Sequence, residues 1–128
     1  MDPAAEVPWI AAALTTALVA GSDVLLMALA VPLIRRRVPP NAWYGVRVAA
    51  TFADREVWYE VNARAGRDLF VAGALHLALL LVLMLAPGVP FEGRMATAIG
   101  TIAAAVLVVA VRAWRHANRL LAGRQRRA

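Results

Sequence analysis

Residues 69–86 read LFVAGALHLALLLVLMLA, and His76 is the one titratable side chain among them. Two further segments are as apolar: 9–34, whose one charged residue is Asp23, and 95–111, which carries no charge. Each is close to the roughly 20 helical residues that cross a hydrocarbon core of about 30 Å. A helix satisfies its own backbone in lipid, which a lone strand cannot do. The sequence therefore predicts an all-α integral membrane protein with three transmembrane helices.

The composition of the whole chain excludes several other classes of protein. Of the 128 residues, 62% are hydrophobic and 17% are charged, whereas globular domains are about 45–50% apolar. A soluble domain of this size could not hide that apolar surface. The absence of cysteine from the sequence excludes a disulfide scaffold and thiolate metal sites. No catalytic motif of the common hydrolase, protease or phosphate-binding kinds is present, so we expect no enzyme, cofactor or metal site.

The arginines predict how the chain is oriented. Thirteen of the fourteen lie in the loop 35–68 or in the tail 112–128, whereas the N-terminal end carries only the acids Asp2 and Glu6. The positive-inside rule then places the N-terminus outside and the loop and basic tail in the cytoplasm. The first span lacks the features of a cleaved signal, so we expect it to be retained. The tail should touch anionic lipid or an acidic partner, and nucleic acid is not expected.

The loop between the first two spans is the least lipid-like part of the chain, and its start should be irregular. Pro39 and Pro40 prevent a helix from continuing, and Asn41 can hydrogen-bond to nearby backbone and fix the exit from the first span.

A helix should begin further along this loop, where Thr51 and Asp54 stand at capping-box spacing. Its apolar face is formed by residues three and four apart: Trp58, Val61, Ala65 and Leu69. This interfacial helix either turns into the second span near Gly66 or continues into it without a break.

The same loop carries a motif that resembles the SdpI family of bacterial membrane proteins, in which a Pro-x-Asn element, a Gly-x-Arg and a Trp-x-x-x-Asn-x-x-x-Gly follow in order. The residues of this motif region are Pro40, Asn41, Gly45, Arg47, Glu56, Trp58, Asn62 and Gly66. One departure is Val48–Ala49, where the family usually has Thr-Pro. The family's namesake is longer, so this chain corresponds to its motif-bearing half. The resemblance implies a protein of the bacterial plasma membrane that gives immunity to a membrane-active killing peptide. The namesake also signals, by holding a transcriptional repressor at the membrane.

We interpret the motif as a structured loop and not as a catalytic site. Arg47 should pair with lipid phosphate or with one of two nearby acids, Glu56 or Glu60. Trp58 should sit at the depth of the lipid headgroups, and Asn62 should cap the helix or bridge to the loop. The alternative is that these residues only fold the loop against the bilayer.

Asp23 is the strongest candidate for function within the membrane, because an unpaired carboxylate near the middle of a span costs ~2.5–3.5 kcal/mol. It shares a helix face with small and polar neighbours: Thr16, Ala20, Met27 and Ala30. At the rise of an α-helix, Asp23 lies ~18 Å from Arg35 and His76 lies ~12 Å from Asp68. Arg35 and Asp68 flank the same loop, so the two side chains differ in depth by ~6 Å, a distance that they can bridge. Either the two pair or Asp23 is a neutral acid. The functional interpretation is a proton-linked or ligand-sensing site. The structural interpretation is a hydrogen bond between helices that holds the bundle together.

Three classes of function stay open. The first is immunity to a peptide toxin, and the second is a small oligomeric transporter or channel built around Asp23 and His76. The third is a membrane tether for a cytoplasmic regulator, with the loop and the basic tail as its docking surface. Small residues four apart in the third span, Ala96, Gly100 and Ala104, permit close packing within the chain or in a homo-oligomer.

Overall fold

A computed structural model describes residues 3–127, with side chains from Pro8 onwards. Asp2 and the side chain of Glu6, which the orientation argument uses, lie outside the described residues. The described part of the chain contains four helices and no strand: α1 (Pro3–Ile34), α2 (Ala49–Ala53), α3 (Arg55–Leu85) and α4 (Phe91–Gln125). Three of them, α1, α3 and α4, are long and apolar enough to cross a membrane. The prediction of an all-α, multi-pass membrane protein with three spans is confirmed.

The helix α1 ends at the first cluster of arginines. Arg36 adopts a left-handed backbone conformation, with φ of 54°, and the N–H of Arg37 donates to the Pro32 carbonyl at 3.0 Å. This is a Schellman closure, which supplies partners to the last carbonyls of the helix. The two prolines that follow then prevent the helix from resuming.

Thr51 and Asp54 act at two different helices, which corrects the predicted capping box. Asp54 is extended, with φ of −147° and ψ of 127°, and separates α2 from α3. It is the N-cap of α3, where its carboxylate accepts from the N–H groups of Glu56 and Val57 at 2.8 and 3.1 Å. Thr51 instead lies inside α2, and its hydroxyl accepts from the Val48 N–H at 3.1 Å. The long helix therefore begins at Arg55.

The helix α3 runs unbroken into the second span, so the predicted interfacial helix and the span are one element. Its 31 residues extend about 46 Å, well beyond a hydrocarbon core of about 30 Å. Gly66 makes no turn and instead faces α1, where a Cβ would lie 3.0 Å from the Ala30 carbonyl oxygen. Gly73 meets α1 in the same way, 2.9 Å from Met27 Cγ. The two glycines allow α1 and α3 to approach closely.

The central position of α3 organises the bundle. It packs along α1 on one side and along α4 on the other, whereas α1 and α4 barely touch each other. The basic tail returns to the loop end, because Arg124 Nη1 lies 3.1 Å from Asp54 Oδ1. The small-residue face of α4 lies outside these contacts. Ala96 and Ala104 are exposed, and a Cβ at Gly100 would meet no described atom within 4 Å. That face therefore does not pack within the chain.

Arg94 holds the turn between α3 and α4. Its guanidinium donates to the carbonyls of Met84, Ala86 and Val89 at 3.0, 2.7 and 2.8 Å. Carbonyls at the C-terminal end of a helix lack partners within the helix. A single charged side chain thus closes the end of the bundle opposite the loop.

Candidate functional site

The motif residues converge where α1 ends and α3 begins, around residues 38–48, which we name the motif loop. Asn41 folds the start of this loop. Its Oδ1 accepts from the N–H groups of Trp43 and Tyr44 at 2.8 and 2.7 Å, and its Nδ2 donates to the Pro39 carbonyl at 2.8 Å. A short amide side chain that bonds to its own neighbours in this way fixes a turn. Pro40 precedes it and is exposed.

Asn62 joins the motif loop to α3. Its Oδ1 accepts from the Val46 N–H at 2.6 Å, and its Nδ2 donates to the Trp58 carbonyl at 2.9 Å. Gly45, directly before Val46, has φ of +110°, and a Cβ there would collide with Asn62 Oδ1. Glycine is thus required both by the backbone conformation and by the close approach to α3.

Trp58 lies beneath the motif loop, where protein and not lipid surrounds its side chain, and its predicted depth at the lipid headgroups stays a prediction. Its side chain is fully buried, and its Nε1–H donates to the Val38 carbonyl at 2.9 Å. The ring of Phe52 packs against it with centroids 5.4 Å apart. The indole therefore satisfies its one donor inside the protein, and its apolar ring is removed from the surface.

Arg47 closes the motif loop on itself. Its Nη1 donates to the Ala42 carbonyl, and within the described residues it forms no ion pair with Glu56 or Glu60, so that prediction is wrong. Its partner lies five residues back in the same loop, and Gly45, with φ of +110°, lies between the two. Glu56 is exposed in the first turn of α3, where a negative charge favours the helix dipole. Pairing of Arg47 with lipid phosphate stays a prediction.

An apolar cavity of about 410 Å³ lies below the motif loop. The loop residues 44–48 cover it, α1 and α4 form its two sides, and α3 contributes Ala65 and Leu69. Ligand pockets in proteins typically measure ~300–1,000 Å³. Tyr44 places a buried hydroxyl here that has no hydrogen-bond partner in the described part of the chain, and its burial raises the Tyr44 pKa. The cavity could therefore accept an apolar group that carries one polar atom.

Asp23 and His76 meet in the middle of the bundle. His76 Nδ1 lies 2.7 Å from Asp23 Oδ2, and His76 Nε2 lies 2.8 Å from the Ala98 carbonyl oxygen. A carbonyl only accepts, so Nε2 must carry a proton, and one more proton lies between Nδ1 and Oδ2. The pair thus has no net charge, whichever atom holds that proton. Both side chains are buried, and together they connect α1, α3 and α4.

Thr16 does not belong to this pair, although it shares a helix face with Asp23. Its hydroxyl donates to the Ala12 carbonyl at 2.8 Å and lies 3.7 Å from Met84 Sδ. Asp23 Oδ1, in contrast, is buried without a partner among residues 3–127.

Sequence reasoning missed two contributors to these sites. Tyr44 stands inside the motif but gave no separate signal. Gly73 follows Gly66 by seven residues, a spacing that places both on one helix face and would have indicated close packing.

Comparison with known proteins gives one match. The family model described as the SdpI/YfhL protein family matches residues 37–112, more than half of the chain. The matched region contains the whole motif loop, all of α3 and the apolar part of α4. No curated protein and no solved structure matches the chain.

Proposed function

Because the chain belongs to the SdpI/YfhL protein family, we propose that it is an immunity protein that protects a bacterial cell against a membrane-active peptide or toxin. The matched residues 37–112 include all eight motif positions, from Pro40 to Gly66. We further propose the bacterial plasma membrane as its location, with the N-terminus outside and the basic tail in the cytoplasm.

The apolar cavity below the motif loop is the observation that supports this proposal best. Motif residues Gly45 and Arg47 form part of its cover, and spans α1, α3 and α4 form its walls. An apolar segment of a membrane-active peptide would leave lipid for this cavity at little desolvation cost. The hydrogen bonds of Asn41, Asn62 and Trp58 hold the cover rigid, which reduces the ordering cost of binding.

A cavity-filling substitution tests this function. Ala110→Leu adds three heavy atoms to the cavity wall, and Ala104→Leu makes the same change at an exposed position of α4 that does not line the cavity. A sensitive bacterial host would express each variant at matched membrane levels and be challenged with a panel of membrane-active peptides. We expect protection to fall with Ala110→Leu and to persist with Ala104→Leu. Equal protection by both variants would remove the cavity from the mechanism.

Proton-linked transport is a second candidate, favoured by the neutral Asp23–His76 pair and by the unpartnered Oδ1 of Asp23. The proton between the two side chains could move without creating a net charge at that depth. This function predicts a pH-dependent flux in liposomes that Asp23→Asn abolishes. Ser22→Ala, a change at the neighbouring exposed residue, should leave the flux intact. Flux that persists in Asp23→Asn would exclude the pair as the transport site.

A further inference from the structure

A second cavity, of about 210 Å³, lies between α3 and α4 on the side of the basic tail, and its walls are strongly basic. Its floor consists of small and β-branched apolar residues. Six ionisable side chains surround the opening: Arg64, Asp68, Arg112, Arg115, His116 and Arg119. Neither the motif loop nor the Asp23–His76 pair contributes to this cavity.

Three arginines of α4 share one face of the helix. Arg112, Arg115 and Arg119 follow each other at intervals of three and four residues, which places them side by side towards α3. The positive-inside rule requires only that basic residues be present near the end of a span, and not that they face one cavity. Arg126 and Arg127 show this difference, because they belong to the same basic tail and do not line the cavity.

The carboxylates near this cavity form only two long ion pairs, and among the cavity's arginines only Arg112 takes part in one within the described residues. Asp68 Oδ2 lies 3.7 Å from Arg112 Nη2, and Glu60 Oε1 lies 3.8 Å from His116 Nε2, both beyond hydrogen-bond distance. Four arginines against two carboxylates leave an excess of positive charge. His116 Nε2 is buried and has no hydrogen-bond partner in the described part of the chain.

We propose that this cavity binds a phosphate group of an anionic ligand. Guanidinium groups bind phosphate oxygens through paired, charge-assisted hydrogen bonds. His116 can donate a further bond when its Nε2 carries a proton. The cavity begins at Arg112, directly after the charge-free segment 95–111, so the proposed membrane placement puts it at the depth of lipid headgroups. Basic pockets between spans on the cytoplasmic side typically bind lipid headgroups. The phosphate is therefore that of an anionic phospholipid or a free phosphate.

Two probes separate these sources on the purified, delipidated full chain. Native mass spectrometry would measure binding of dioleoyl phosphatidylglycerol against dioleoyl phosphatidylcholine. The melting temperature would be measured as inorganic phosphate is added, with chloride at equal ionic strength as the control. A response to the anionic lipid alone identifies a headgroup site, and a response to inorganic phosphate identifies a soluble ligand. Either result supports the proposal. If the protein responds to neither probe, the proposal is overturned.

A matched pair of double variants tests the assignment to the cavity. Arg115→Gln with Arg119→Gln removes two charges from the cavity, and Arg126→Gln with Arg127→Gln removes two charges from the same tail outside it. At about five-fold per arginine, the cavity variant should bind roughly 25-fold more weakly, while the tail variant keeps nearly the original affinity. Equal weakening in both variants would mean general charge attraction and would overturn the proposal. Circular dichroism would verify that both variants keep their helices.

Discussion

Below the motif loop, two buried side chains of α3 bond to the loop backbone: Asn62 accepts from the Val46 N–H, and Trp58 donates to the Val38 carbonyl. In the middle of the bundle, Asp23 and His76 bond to each other, and only His76 reaches a backbone group. Backbone partners persist when neighbouring side chains change, so the loop depends mainly on the path of its chain. The central pair depends on both side chains at once. The two networks should therefore respond to mutation in different ways.

Breaking the central pair should have the largest effect. Asp23→Leu leaves His76 Nδ1 buried without its partner, and the loss of one member of such a pair costs about 3–5 kcal/mol. The free energy of unfolding, measured by denaturant titration in mixed micelles, should fall by this amount. The double variant with His76→Leu should lose less than the sum of the two single variants. Additive losses would contradict the interdependence of the pair.

A substitution that displaces the motif loop should have the next largest effect. Gly45→Ala places a side chain at positive φ and against Asn62 Oδ1, so the free energy of unfolding should fall by at least about 1–2 kcal/mol. Gly21→Ala is the control, because a Cβ at that position meets no atom within 4 Å. The same micelle titration compares the two. If both variants kept the original stability, the close approach of the loop to α3 would not matter.

The removal of a single bond from the loop should have the smallest effect. Trp58→Phe keeps most of the buried ring but loses the bond to the Val38 carbonyl, which is worth about 1 kcal/mol. Trp43→Phe makes the same change in a side chain that is 89% exposed. Only the first variant should be less stable in the titration. A loss at Trp58 as large as that of Asp23→Leu would show that the loop is also an interdependent network.

These differences explain which parts of the structure the sequence predicted. The spans follow from long apolar segments, because lipid leaves few alternatives to a helix. The helical rise also placed Asp23 and His76 within reach of each other. The sequence could not reveal the second partner of His76, because every residue has a carbonyl and only the packing of α4 selects that of Ala98.

The motif loop was harder to predict than the spans. Charge alone indicated nearby acids or lipid phosphate as partners of Arg47, but its guanidinium bonds to the Ala42 carbonyl, a backbone group that the sequence does not single out. Trp58 was expected among headgroups because exposed tryptophans prefer that depth. The sequence does not show which tryptophan the fold buries: Trp58 is buried, whereas Trp43 is exposed.

The separation of Asp23 and His76 along the chain has a consequence for biosynthesis. The two residues are 53 positions apart, so at ~5–20 residues per second the ribosome adds His76 roughly 3–10 s after Asp23. Because the chain leaves the ribosome in the order of its synthesis, His76 also emerges by this interval after Asp23, and until then the acid has no partner in the nascent chain. Asp23 must then enter the bilayer in its protonated form, or α1 must wait beside the translocon until α3 arrives. The hydrogen-bond partner that the acid of the first span requires is therefore synthesised after that span.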